Sequence, residues 1–166
     1  IGGLDEVIKN FDIGKVFMPR VNHDTRTYED VLLAIQEKGL KITGPNIGES
    51  YELGGAQWTI LAPNSEDYGD LNNYSIVVKL GYGSNSFLFT GDAESLSEEE
   101  MLELHRGKLS GIDVLKLGHH GSSSSTSDDF LEVVDPKMAI IQLEEGNSYG
   151  HPHQEIMEKL QKKEIE

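Results

Sequence analysis

The sequence contains no cysteine. That excludes disulfide staples, thiolate zinc sites and a cysteine nucleophile, so any metal must be held by imidazole and carboxylate groups. Basic residues are also few: 14 Lys and Arg stand against 29 Asp and Glu, for a formal net charge of −15. Such a surface repels a phosphate backbone at long range, and no Lys/Arg cluster is present to drive counterion release. Strong nucleic-acid binding is therefore not expected of this acidic chain alone. Nor is there an apolar run near the roughly 20 residues that cross a bilayer, or a basic leader followed by an apolar core.

What is present suits one folded unit. The 166 residues are 37% hydrophobic and 26% charged, ordinary proportions for a globular domain. The chain opens at Ile1 without Met, in what reads as a turn into a helix, and we expect that something larger begins upstream.

Leu4, Val7 and Ile8 share one face of a short helix in Gly3 to Asn10, and Lys15 to Met18 reads as a buried strand. Thr27 to Lys38 is predicted to be a helix, with Thr27 and Asp30 resembling a capping box and Gly39 at the C-terminal end. Leu40 to Thr43 is a further strand. Period-two alternation in Gln57 to Leu61, Tyr74 to Tyr82 and Ser86 to Thr90 predicts a three-stranded antiparallel meander. Beyond it, helices (Ser97 to His105, Ser127 to Val134, Pro152 to Lys163) alternate with strands (Asp113 to Leu117, Lys137 to Leu143). The pattern predicts an α/β fold, with sheets covered by helices in a layered αββα arrangement.

Groups able to bind a metal stand at the C-terminal ends of predicted strands. Phe87 to Thr90 delivers Gly91-Asp92; Val114 to Leu117 delivers Gly118-His119-His120-Gly121-Ser122; Ile140 to Leu143 runs into a loop ending Gly150-His151-Pro152-His153. Imidazole and carboxylate suit zinc, manganese or iron, and such an ion lowers the pKa of a bound water to about 7. Each cluster alone has a plainer explanation. Asp92 could be a turn residue or helix cap, His119-His120 a polar loop with Ser122 to Ser125 as a tether, and His151-Pro152-His153 a helix cap with Pro152 at the first helical position. Five of the six histidines nevertheless fall in the last two-fifths of the chain. His105 reads as a surface cation at a helix end and His23 as part of a solvated turn.

Phe89-Thr90-Gly91-Asp92-Ala93-Glu94, Leu115 to Ser122 and Tyr149-Gly150-His151-Pro152-His153 resemble the metallo-β-lactamase-like domain of the ComEC/Rec2 DNA-internalisation competence proteins. Ile1-Gly2-Gly3-Leu4 resembles the residues that follow that family's HxHxDH signature. The resemblance covers nearly the whole chain. It implies one metallo-β-lactamase-like domain over residues 1–166, lacking the HxHxDH segment and the first strands, with apolar surface on the first sheet left uncovered. It implies Asp92 and His119 as ligands to one or two Zn or Mn ions, and His120, His151 and His153 as catalytic or substrate-facing groups. Asn73, Ser75 and Ser122 are expected to touch substrate, Asn73 standing where many superfamily members place another metal His. The implied function is metal-dependent hydrolysis of phosphodiester bonds, with single-stranded DNA or a phosphate ester as substrate and a membrane channel domain as partner in the full-length protein. The implied setting is the extracytoplasmic side of a bacterial membrane, or a secreted protein. With half a signature, the chain alone is expected to be inactive. Two rivals stand beside this reading: a degenerate domain kept as a binding or scaffold module, and a hydrolase of a non-nucleic ester such as a lactone.

Overall fold

A computed structural model describes residues 2–166; Ile1 lies outside the described residues, and with it the first position of the Ile1 to Leu4 resemblance. The chain divides into two compact units, one running to Pro45 and the other from Asn46 to Glu166. Among the described residues, no helix is long and apolar enough to cross a membrane.

The first unit is a small helix–strand–helix–strand assembly: α1 (Leu4–Asn10), β1 (Val16–Phe17), α2 (Arg26–Glu37) and β2 (Ile42–Thr43). β1 and β2 pair in parallel. Ile8 of α1 packs with Val31, Ala34 and Ile35 of α2, whereas Leu4 and Val7, expected on the same face, are exposed. The cap of α2 differs from expectation: Thr25, not Thr27, accepts the amide of Tyr28 on its hydroxyl oxygen at 3.4 Å. Capping needs extended backbone at the cap residue, and Thr25 has it while Thr27 already lies inside the helix.

The second unit is a six-stranded sheet in the order β3 (Ser50–Leu53), β4 (Ala56–Ala62), β5 (Val77–Tyr82), β6 (Asn85–Phe89), β7 (Val114–Lys116) and β8 (Met138–Ile140). β3 to β6 run antiparallel, and β7 and β8 continue parallel to β6. The expected three-stranded meander thus has a fourth member, β3, held partly by the stacking of Tyr51 on Trp58 at 4.3 Å between ring centres. The strand expected from Tyr74 begins at Val77, and Tyr74 instead ends a 3₁₀ turn, Leu71–Tyr74.

Three helices complete the unit: α3 (Ser95–Leu109), α4 (Asp128–Val134) and α5 (Gln154–Lys162). Their buried residues Met101, Phe130, Leu131 and Ile156 pack with Leu88 of β6 and Leu115 of β7 in one core. Alternation then places Phe89, Met138 and Ile140 on the opposite face of the sheet, where all three are substantially exposed. Ser127 caps α4 as expected, accepting from the Phe130 amide. Pro152 does not begin α5: the helix starts two residues later, with His153 at its cap position and no side-chain capping bond.

Candidate metal-type hydrolytic site

The parallel register sets Phe87, Val114 and Met138 side by side, and likewise Phe89, Lys116 and Ile140. The chain leaves all three strands in the same direction, so the segments that follow meet along one edge, the usual place for a site in a parallel sheet. Asp92 lies three residues beyond Phe89, His119 three beyond Lys116, and Gln142 two beyond Ile140. This register is why separated sequence clusters converge.

The loops are tied closely. The His119 amide donates to the Gly91 carbonyl at 3.1 Å, and Lys116 Nζ donates to the carbonyls of Gly91 (2.9 Å) and Leu117 (2.8 Å). Thr90 Oγ1 donates to the Lys116 carbonyl. At Gly118 a Cβ would stand 2.7 Å from the Ala93 carbonyl oxygen, so only glycine lets the two loops lie this close. Lys116 is largely buried, and desolvation pulls its pKa down, opposed by the nearby charge of Asp92.

His119 and His120 both adopt left-handed backbone conformations, with φ of 43° and 56°. For residues carrying a Cβ this costs on the order of 1–2 kcal/mol each, a strain that persists only where surrounding bonds over-determine it. The surrounding bonds are the Gly91 carbonyl on His119, the His119 carbonyl accepting from the Ser122 amide, and the Ser125 hydroxyl donating to the Gly118 carbonyl. Ser122 to Ser125 is therefore no flexible tether.

The strained turn aims two imidazoles. His120 Nδ1 lies 2.6 Å from the Gln142 carbonyl, which can only accept, so Nδ1 carries the proton. Its Nε2 then faces Asp92 Oδ1 at 3.3 Å. His119 Nδ1 lies 3.1 Å from Glu94 Oε1, which also accepts from Ser124 Oγ at 2.8 Å. A carboxylate or carbonyl on the far nitrogen, leaving Nε2 free, is the arrangement that orients metal-ligating histidines. Asp92 thus meets His120 rather than His119.

His151 and His153 complete the group. The His151 ring stands 5.5 Å from His119 and 4.8 Å from His153, centre to centre. Burial, and then the neighbouring histidines, lower the His151 pKa and favour its neutral form. His153 does not match its expected catalytic part. Its Nδ1 accepts the Ser123 amide at 2.9 Å, which leaves Nε2 to donate to the Tyr149 carbonyl at 3.3 Å. With both nitrogens engaged it fastens one loop to another.

The three residues expected to touch substrate do other work. Asn73 is buried, and its Oδ1 accepts the amides of Glu94 and Ser97, capping α3. Ser75 Oγ accepts the Asp92 amide at 3.0 Å and so positions that carboxylate. Ser122 is buried and hydroxyl-bonded to Ser124. His105 is not a surface cation: it sits at a kink within α3, its Nε2 lies 3.0 Å from Asn64 Oδ1, and desolvation lowers its pKa. His23 lies in an exposed turn against Thr25, as expected. Sequence reasoning missed Glu94, Ser124, Lys116 and Gln142. Only Glu94 left a signal, a second carboxylate two residues after Asp92 at the same strand end.

The donor chemistry fits a divalent ion in part. Asp92 Oδ1 and His120 Nε2 face each other at 3.3 Å, a spacing that a shared proton or a cation between them can bridge. Among the described residues, however, no group of three or more His, Cys, Asp or Glu is arranged to hold an ion.

Comparison with known proteins completes the description. The profile of the family described as "Metallo-beta-lactamase superfamily" matches residues 1–143. The chain is 33% identical over 165 residues to "ComE operon protein 3" of Bacillus subtilis, covering 99% of this chain and 21% of that protein. It is 38% identical over 113 residues to "Recombination protein 2" of Haemophilus influenzae, covering 68% of this chain and 14% of that one. It therefore spans about a fifth or less of the length of these curated relatives. Among solved structures, CmlA, a diiron beta-hydroxylase from Streptomyces venezuelae, is 14% identical with a TM-score of 0.46, over 76% of this chain and 30% of that one.

Proposed function

Since this chain belongs to the metallo-β-lactamase superfamily, as a domain of the ComEC/Rec2 competence-protein kind, we propose that it is the hydrolytic part of a DNA-uptake protein, a metal-dependent phosphodiesterase acting on single-stranded DNA or a related phosphate ester. One observation carries the reading: three strand ends bring Asp92, His119, His120 and His151 into one cluster, with Glu94 and the Gln142 carbonyl engaging Nδ1 of His119 and His120 and Asp92 facing Nε2 of His120.

Zn or Mn would be held by Asp92 and His120, with His119 beside them. A bound ion of this kind supplies Lewis acidity and an activated water at neutral pH. The chain's own residues do the rest. The Gln142 carbonyl keeps the His120 proton on Nδ1, and Glu94 does the same for His119, so neither ring turns away. Ser75 and Lys116 fix the loop that carries Asp92. His151, beside His119, is placed to act as a general base, taking up a proton that it can later return to the leaving oxygen.

The test is metal analysis and hydrolysis of bis(p-nitrophenyl) phosphate by protein extended upstream of Ile1. Bound metal and turnover, both lost in Asp92→Ala and His120→Ala and strongly reduced in His119→Ala, are expected. The scaffold reading is favoured by the want of a three-donor group among the described residues and by the use of Asn73 as a cap. A folded, metal-free and inactive extended protein would establish it in place of the enzyme.

A further inference from the structure

Tyr149 is 77% exposed, the most exposed aromatic side chain on the molecule. It is not on a loose loop. Asn147 Oδ1 accepts the His151 amide at 3.1 Å while its Nδ2 donates to the His151 carbonyl at 2.8 Å, which brackets the residues between them. His153 Nε2 holds the Tyr149 carbonyl, and the Asn147 amide donates to the Glu144 carbonyl. The phenol ring is nearly parallel to the His151 imidazole and offset from it, 5.7 Å between centres at an interplanar angle of 23°. One flank borders an imidazole of the site, and most of the ring faces solvent.

From this geometry we infer that Tyr149 is a stacking platform for a nucleobase of a single-stranded nucleic acid. The inference rests on the phosphodiesterase reading and specifies its substrate. Three observations favour a base over other occupants. A flat aromatic face held in place in advance loses little entropy when a second flat ring lies on it. The ring adjoins His151, so a base on Tyr149 sets the neighbouring phosphodiester toward the histidine cluster. With a net charge of −15, backbone electrostatics cannot provide the grip; stacking can, and it tolerates any sequence because every base has a π face.

At 18.4 kDa the chain is accessible to solution NMR, which reads weak binding. The probes are a thymidine tetranucleotide, the same strand with abasic sugars, and phosphatidylglycerol vesicles. Saturable upfield shifts of the Tyr149 ring protons are expected with the thymidine strand. The thymidine strand should bind about tenfold or more tightly than the abasic one, as one base–aromatic stack contributes. Tyr149→Ala should erase that ratio and Tyr149→Phe keep it; an exposed position makes misfolding of either variant no obstacle. The inference is overturned if the Tyr149 signals do not move, if the abasic strand binds equally well, if Tyr149→Ala keeps the preference, or if vesicles perturb the ring and the strand does not. Binding is read apart from turnover. Base-dependent binding without hydrolysis of bis(p-nitrophenyl) phosphate by the extended protein would sink the hydrolase reading alone, and hydrolysis without base dependence would sink only the platform.

Discussion

Glu98 is the buried group on which the site's support rests most directly, and its replacement by glutamine is the sharpest test of that claim. Its side chain is 2% exposed. One carboxylate oxygen accepts the Thr126 amide at 2.5 Å and the other the Ser127 amide at 2.8 Å. These bonds hold the turn that follows the histidine loop and starts α4, a turn in which Thr126 has a φ of 58°. Lys159 closes it from the other side by donating to the Thr126 carbonyl at 3.2 Å. In Glu98→Gln one oxygen still accepts, but the amide NH₂ now faces a backbone N–H. Losing one of the two acceptors and leaving a buried backbone donor opposite another donor costs about 2 kcal/mol. For a chain of this length that lowers the thermal midpoint by about 4–8 °C. The pH dependence supplies a second signature. Burial raises the Glu98 pKa above its ordinary 4.5, against the lowering effect of the Ser127 and Thr126 bonds. The native state then holds this proton more tightly than the unfolded chain. The group's contribution is full below 4.5 and is lost as pH rises through the native value. Glutamine does not titrate, so the stability gap between parent and variant is widest near pH 4.5 and narrows toward neutrality. Thermal and urea denaturation followed by circular dichroism between pH 4.5 and 7 measure both effects. A midpoint change under 1 °C, or a gap that widens with pH, refutes the reasoning.

Two further substitutions probe the ties between the loops. Gly118→Ala forces a methyl to within 2.7 Å of the Ala93 carbonyl oxygen and 3.0 Å of Ser125 Cβ; a loss of about 1–3 kcal/mol and faster hydrogen exchange at the His119 amide are expected, and unchanged exchange would show that the loops part without cost. Lys116→Met leaves the Gly91 and Leu117 carbonyls without their Nζ donor; the His119 amide should again lose protection while distant core amides such as that of Leu88 keep theirs, and uniform loss across the sheet would mean that Lys116 supports the fold at large.

How much of this was legible before the fold was known depends on which physical level carries the information. The α/β fold and the meeting of strand-end clusters are written in hydrophobic periodicity, which reports which residues face a core. β3 escaped notice because Ser50–Leu53 is short and lies mostly exposed, so burial imposes almost no pattern on it. The cap of α2 was misplaced by two residues because Thr25 and Thr27 are chemically equal, and only backbone conformation separates them. The site divides the same way. That Asp92 and the histidines would gather was readable from their position after apolar strands. Which nitrogen each imidazole keeps free was not, because it is decided by the Gln142 carbonyl on His120 and by Glu94 on His119. A backbone carbonyl has no letter in the sequence. His153 shows the consequence: it has the same residue type and loop as His151, yet the Ser123 amide takes its acceptor and the Tyr149 carbonyl its proton, leaving it a fastener where its neighbour is available for chemistry. Residue type sets what an imidazole can do, and the hydrogen bond on its far side selects what it does. Reassigning a histidine in this site therefore requires changing its partner as well as the ring.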